Sequence, residues 1–237
     1  MQITLNLVLS ILGSIVAATV FWYYGKKIIK KKKINEHNKM LIKLGAELFE
    51  EGLVKFHFSR DDYNERLATF LDRATTSISI ISLSLKMAHE EGRITEIFRK
   101  KIIYNQAFII TISLINPNNQ ALVKIAADTL SIPYDKLRNE IVDMLKELFG
   151  CYEQFSKQEQ SRFKISVHDC FPMGSVIMLD ATETSGVIQI ETKLYKAPRN
   201  ESFGFQIARN SNFFKRNYIA CQKIIQDSIP IRKEDIV

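Results

Sequence analysis

The chain of 237 residues and 27.3 kDa is 46% hydrophobic and 25% charged. That composition suits one good-sized domain with a short appendage and excludes a disordered or low-complexity chain. Its net charge of +7 is local, because six lysines fall in KKIIKKKK (Lys26 to Lys33) and the remainder carries only +1; the folded part is therefore not expected to bind nucleic acid.

The first 25 residues contain no charge, and ITLNLVLSILGSIVAATVFWYYG (Ile3 to Gly25) is long enough to cross a hydrocarbon core of about 30 Å. It ends in Trp22, Tyr23 and Tyr24, suited to the headgroup boundary, and then in the lysine run. A cleaved leader would carry its positive charge before the apolar run, and here the order is reversed. The expectation is a single-pass transmembrane helix over 1–25 in the inner, cytoplasmic membrane, with the C-terminal domain in the cytoplasm. Ser10, Gly13, Ser14 and Ala17 space small residues four apart, which permits close helix pairing. The lysines also favour anionic lipid, so the lipid bilayer is the first expected partner.

Residues 26–55 read as a basic juxtamembrane segment and an amphipathic connector helix, with Leu41, Leu44, Leu48 and Phe49 at helical spacing. The cytoplasmic domain is expected over 56–237. FHFSRDDYNERLATFLDRA leads into a helix, and SISIISLSL (77–85) alternates as a strand does. A helix follows in GRITEIFRKKIIY. AFIITISLI (107–115) is a near-continuous apolar strand, the kind covered on both faces. NPNN breaks the chain before two further helices, NQALVKIAADTL and PYDKLRNEIVDMLKELFGCYEQF. Four strand-like runs come next, RFKISVHD, SVIMLD, GVIQIETKLY and SFGFQIA, and the helix NFFKRNYIACQKIIQ closes the domain. The order predicts an α/β fold: a mixed sheet whose early strands are parallel, with helices on both faces.

Ligands gather at the carboxyl ends of parallel strands. Ser82, Ser84, Asn116, Asn118, Asn119, His168 and Asp169 fall there. Hydroxyls, amides and a following helix N-terminus can donate to an anion, and Asn and Ser are equally turn and cap residues. The sequence holds no GxSxG, P-loop, GxGxxG or HExxH. His168-Asp169-Cys170 has no second ligand cluster, so neither a metal nor a cofactor is expected. Cys151, Cys170 and Cys221 lack CxxC spacing and fit inert thiols in a reducing compartment. His37, His57 and His89 read as surface residues. Phe56, Phe58, Phe203, Phe205, Phe213 and Phe214 read as core, since no basic stripe lies between them.

The order of elements, the apolar strand ending in a turn, and the run of strands opening with a histidine resemble one protomer of the phospholipase D-like superfamily, over roughly residues 56–228. Active members carry H-x-K-x4-D followed by a Gly-Ser turn; the histidine attacks phosphorus, the lysine holds the phosphate, and two motifs meet across a dimer. With His168 as the histidine, the lysine position falls on Cys170 and the acid position on Ser175. A second alignment takes Asp180 as the acid and Gly186 as the turn glycine, with extra residues around Pro172 to Gly174. Neither restores the lysine, although a phosphoryl transition state needs fixed positive charge; Lys86, Lys193, Arg60 and Arg209 are the candidate cations elsewhere in the chain. The resemblance therefore implies a binding or signalling module without catalysis. Its pocket would use Ser82, Ser84, Asn116, Asn118, His168 and Lys193 to hold a phosphorylated small molecule or nucleotide. The alternatives are a dimeric phosphodiesterase or nuclease with His168 as nucleophile and Asp180 as its acid, and an adaptor with a plugged pocket. A homodimer is expected in every reading.

Overall fold

The computed structural model of the chain describes residues 43–59, 66–85, 94–172, 174–196 and 201–236. The expected anchor, its small-residue pairs, the lysine run, Arg60, Lys86, His37 and His89 lie outside those residues. Among the described residues, no helix is long and apolar enough to cross a membrane. The chain divides into two compact units, Met1–Phe49 and Glu50–Val237. Helix α1, residues 43–50, is exposed along its described length.

The second unit is built on one eight-stranded mixed sheet in the order β1-β7-β6-β5-β2-β3-β4-β8. Its strands are β1 (Leu53–His57), β2 (Ser77–Ser82), β3 (Ile109–Ile115), β4 (Phe163–His168), β5 (Gly174–Leu179), β6 (Val187–Thr192), β7 (Gly204–Ala208) and the short β8 (Ile229–Pro230). β2, β3 and β4 run parallel, and β5, β6, β7 and β1 continue the sheet in antiparallel pairs. The helices are α2 (Leu67–Asp72), α3 (Ile94–Tyr104), α4 (Gln120–Thr129), α5 (Tyr134–Tyr152), the one-turn α6 (Lys157–Gln160) and α7 (Asn212–Asp227).

Alternation along each strand sends the two sets of side chains to different cores. Ile78, Ile80, Ile110, Ile112, Ile165 and Ile177 meet residues of α2 to α5, including Phe98, Val123 and Leu145. Ile81, Val176, Met178, Ile188 and Ile207 face α7 through Phe214 and Cys221. The helices start where side chains satisfy their open N–H groups: Asn119 accepts from Leu122 N, Ser156 and Glu159 form a capping box, and Ser211 accepts from Phe214 N. At the other end of α3 the Arg162 guanidinium donates to the carbonyls of Ile102, Asn105 and Phe108.

Two sequence expectations are corrected here. Strand β1 occupies Leu53–His57, so its first three residues replace the end of the segment read as a connector helix, and the compact unit that contains it begins at Glu50. The cause is pairing: LVKFH is too short to announce a strand, and its ladder with Gly204–Ile207 of β7 defines it. Of the phenylalanines read as core, only Phe214 is buried. Phe58 is 81% exposed, and Phe56 packs edge-on to it and stacks on Phe203 at the open side of β1.

Candidate ligand-binding site

Strand register distributes the predicted residues over both sheet faces. Ser82 is level with Leu114 of β3, whereas His168 is level with Ile115, the next residue. Consecutive strand residues point to opposite faces, so the side chains of His168 and Ser82 share an edge of the sheet and not a pocket.

His168 is 2% exposed. Its Nδ1 lies 3.0 Å from the Cys170 carbonyl, and a carbonyl only accepts, so Nδ1 carries the proton. Nε2 is buried beside the Ser82 backbone and makes no well-formed hydrogen bond among the described residues. Burial holds the His168 pKa below its ordinary value, against the opposing pull of the Cys170 and Ser82 backbones and the Asp169 charge. The ring is neutral near pH 7 and shielded from any incoming phosphorus. Because its folded-state pKa is depressed, the unfolded chain binds the proton more readily. Stability is therefore expected to fall as the pH drops below about 6.5. His168→Gln should flatten that part of the profile in chemical-denaturation curves; an unchanged slope would place the titration elsewhere.

Asp180 stands at the far end of the sheet. Its backbone N–H bonds the carbonyl of Ser77, the first residue of β2, whereas Ser82 is the last; five residues of strand separate those ends by about 17 Å. The carboxylate, itself buried, accepts from Thr75 N and Oγ1, Thr76 N and Oγ1, and Ser77 N. His168 and Asp180 therefore cannot form the acid–nucleophile pair that the catalytic alternative requires. The asparagines are turn and cap residues: Asn116 Oδ1 accepts from Asn118 N, Asn118 Nδ2 donates to the Asp235 carbonyl, and Asn119 Nδ2 donates to Asp169. Ser84 is buried beyond the end of β2.

What the structure does bring together is a polar row on the face opposite α7. The register runs Ser175–Glu191 between β5 and β6, Glu191–Gly204 between β6 and β7, and Gly204–His57 between β7 and β1. Ser82 joins it from β2, with its Oγ 2.8 Å from Ser175 Oγ. Lys193 follows Glu191 by two residues and its ammonium contacts the Glu191 carboxylate; both side chains are largely buried. One step along the strands, Gln206 Nε2 donates to Gln189 Oε1 at 2.8 Å, both buried. Buried hydroxyls, amides and an ion pair are costly on a sheet face that is otherwise Ile and Leu, and their concentration at one end marks it as a recognition surface.

Of this row, sequence reasoning found Ser82 and Lys193. It missed Ser175, Gln189, Glu191 and Gln206, and His57 is 8% exposed instead of on the surface. The missed signal was the polar alternation inside VIQIET, where Gln189 and Glu191 interrupt an apolar strand at period two. Burial pushes the Cys151 and Cys221 thiols up to about 11, in keeping with inert cysteines. Among the described residues, no group of three or more His, Cys, Asp or Glu could hold a metal ion.

Among solved structures the chain is similar to TrmBL2, described as an archaeal chromatin protein with a novel mode of DNA binding, at 13% identity over 88% of this chain and 67% of that one, with a TM-score of 0.44. It is similar to Nuc, a phospholipase D family member from Salmonella typhimurium, at 13% identity over 70% and 88% of the two chains, TM-score 0.35. For NucT from Helicobacter pylori the values are 9% identity, 75% and 100% coverage, and TM-score 0.40. No protein-family model matches the chain, and no curated protein matches it significantly. At these TM-scores the functional reading is left to the chain's own residues.

Proposed function

We propose that this chain is a membrane-anchored cytoplasmic binding module with a phospholipase D-like protomer fold and no catalysis, whose ligand seat is the polar row of Ser82, Ser175, Glu191 and Lys193. The observation that carries this reading is the Lys193–Glu191 pair, because the buried cation of the row already holds a carboxylate. Catalytic phosphoryl transfer needs that charge free for the transition state. A binding site can exchange it, with an anionic oxygen of the ligand taking the place of Glu191 on Lys193.

Spacing supports the loss of catalysis. Taken without a gap from Asp180, the H-x-K-x4-D pattern puts residue 173, a methionine, at the histidine and Ser175 at the lysine. Ser175 is the residue that faces Ser82 and Glu191 in the row. The degenerate motif thus leaves a thioether where the family's mechanism needs a nucleophile and a hydroxyl where it needs a cation. The ligand class proposed is a phosphorylated small molecule or nucleotide. Confinement of anchored chains to two dimensions would raise their effective concentration and favour a homodimer.

The test uses the full-length chain in detergent micelles, with thermal shifts recorded across mono- and cyclic nucleotides, phosphosugars and soluble lipid headgroups. A stabilising ligand should be recovered intact. Glu191→Gln, which takes one competing carboxylate off Lys193, should tighten its binding about tenfold, and Lys193→Met should abolish the response. Hydrolysis of the ligand by the wild type, or a response indifferent to both substitutions, would end this reading.

A further inference from the structure

The opposite end of the sheet carries a second, separate cleft. Its volume is about 720 Å³, and its lining includes Thr182 after β5, Arg209 after β7, Lys215 and Tyr218 of α7, and the two carboxylates Glu50 and Glu51. That volume is in the range of small-molecule sites. Because Asp180 bonds the first residue of β2, the cleft lies a full strand length from the Ser82 end.

Its electrostatics differ from those of the polar row. Arg209 is half-buried and engages only its backbone N–H, donated to the Gly186 carbonyl; the guanidinium makes no ion pair or hydrogen bond with a described residue. Lys215, on the first turn of α7, likewise has no side-chain partner among them. A guanidinium partly withdrawn from water without a counter-ion is an unreturned desolvation cost. The backbone N–H groups of Asn212 and Phe213 find no acceptor among the described residues, since the Ser211 cap takes only Phe214 N. Glu50 and Glu51 line the same cleft, and neither forms an ion pair with Arg209 or Lys215 among the described residues. Tyr218 supplies an aromatic wall.

We propose that this cleft is a second ligand site, which takes the oxyanion group of a small organic phosphate or of a phospholipid headgroup on Arg209 and Lys215. Arg209 would bind two oxygens through its planar fork and Lys215 would add a point charge. The organic part of the ligand would lie against Tyr218. The site is independent of the ligand seat proposed above and works whether or not that seat is occupied.

Full-length chain in detergent micelles would be titrated calorimetrically with inorganic pyrophosphate and, separately, with dihexanoyl phosphatidic acid. At least one probe should bind saturably, and Arg209→Gln should weaken it about tenfold or more. Lys215→Gln should weaken it less, and Glu51→Gln should strengthen it. As the Arg209 side chain has no partner among the described residues, the melting temperature of Arg209→Gln without ligand should match wild type, which separates lost binding from lost folding. The titration is repeated in Lys193→Met, where binding at this cleft persists. Pyrophosphate binding alone points to a free metabolite, and phosphatidic acid alone to a headgroup. Failure of both probes, binding indifferent to Arg209→Gln, or binding lost in Lys193→Met would overturn the proposal, the last assigning the signal to the polar row.

Discussion

Replacing Asp180 with asparagine is expected to destabilise the chain by roughly 3 kcal/mol, lowering the melting temperature by about 6–12 °C. The carboxylate is 5% exposed and accepts from three backbone N–H groups and two hydroxyls of the Thr75–Ser77 segment at 2.7–2.9 Å. An amide keeps the shape but turns an NH2 group toward donors, leaving several of them buried and unmet. Burial alone would raise the Asp180 pKa; the hydrogen bonds from Ser77, Thr76 and Thr75 outweigh it and hold the carboxyl below its usual range. The sign follows from linkage: the unfolded chain protonates first, so the contribution is complete above about pH 4 and is lost as the pH falls through the folded-state value. Wild-type denaturation curves should therefore lose stability in acid that Asp180→Asn never had. Equal melting temperatures at neutral pH would show that the brace is dispensable. The prediction also bears on function, because a carboxylate committed to five donors at the start of β2 is a structural brace and has no proton to exchange at the Ser82 end.

That brace shows what sequence could and could not disclose. The parallel order of β2, β3 and β4 was legible, since SISIIS and IITISLI are apolar strands separated by a helix, and such crossovers admit few topologies. Asp180 was also conspicuous as an acid ending an apolar run. Its role was not, because the donors that hold it come from a segment more than a hundred residues away. The same limit hid the polar row. Ser175, Glu191 and Gly204 sit on three different strands, and only the antiparallel register of β5, β6 and β7 sets them level. His168 misled for the converse reason. Beside Asp169 and Cys170 it looked like chemistry, yet one step of strand alternation turns it to the other face, where its Nδ1 only secures the turn to Cys170.

Gly174→Ala is expected to cost about 2–3 kcal/mol and to disable the proposed ligand seat at the same time. A Cβ at Gly174 would lie 2.0 Å from the Glu191 carbonyl oxygen, 2.8 Å from its carbon and 3.0 Å from Thr192 Cα. All three are backbone atoms of the paired strand, so no side chain can swing aside, and β5 and β6 must part. They part where Ser175 faces Glu191 and Gly174 faces Thr192, which carries the Lys193 ammonium away from the Ser82–Ser175 hydroxyls. Gly150 is the control. A Cβ there meets nothing within 4 Å inside α5, and Gly150→Ala should stabilise by about 0.5–1 kcal/mol through helix propensity alone. Urea denaturation of the two variants, with amide exchange read at Glu191 and Thr192, separates the cases. Exchange should accelerate locally in Gly174→Ala and stay unchanged in Gly150→Ala. If Gly174→Ala retains both stability and ligand response, the β5–β6 contact does not set the geometry of the row. Recognition would then have to be carried by Glu191 of β6 and Lys193 just beyond its end.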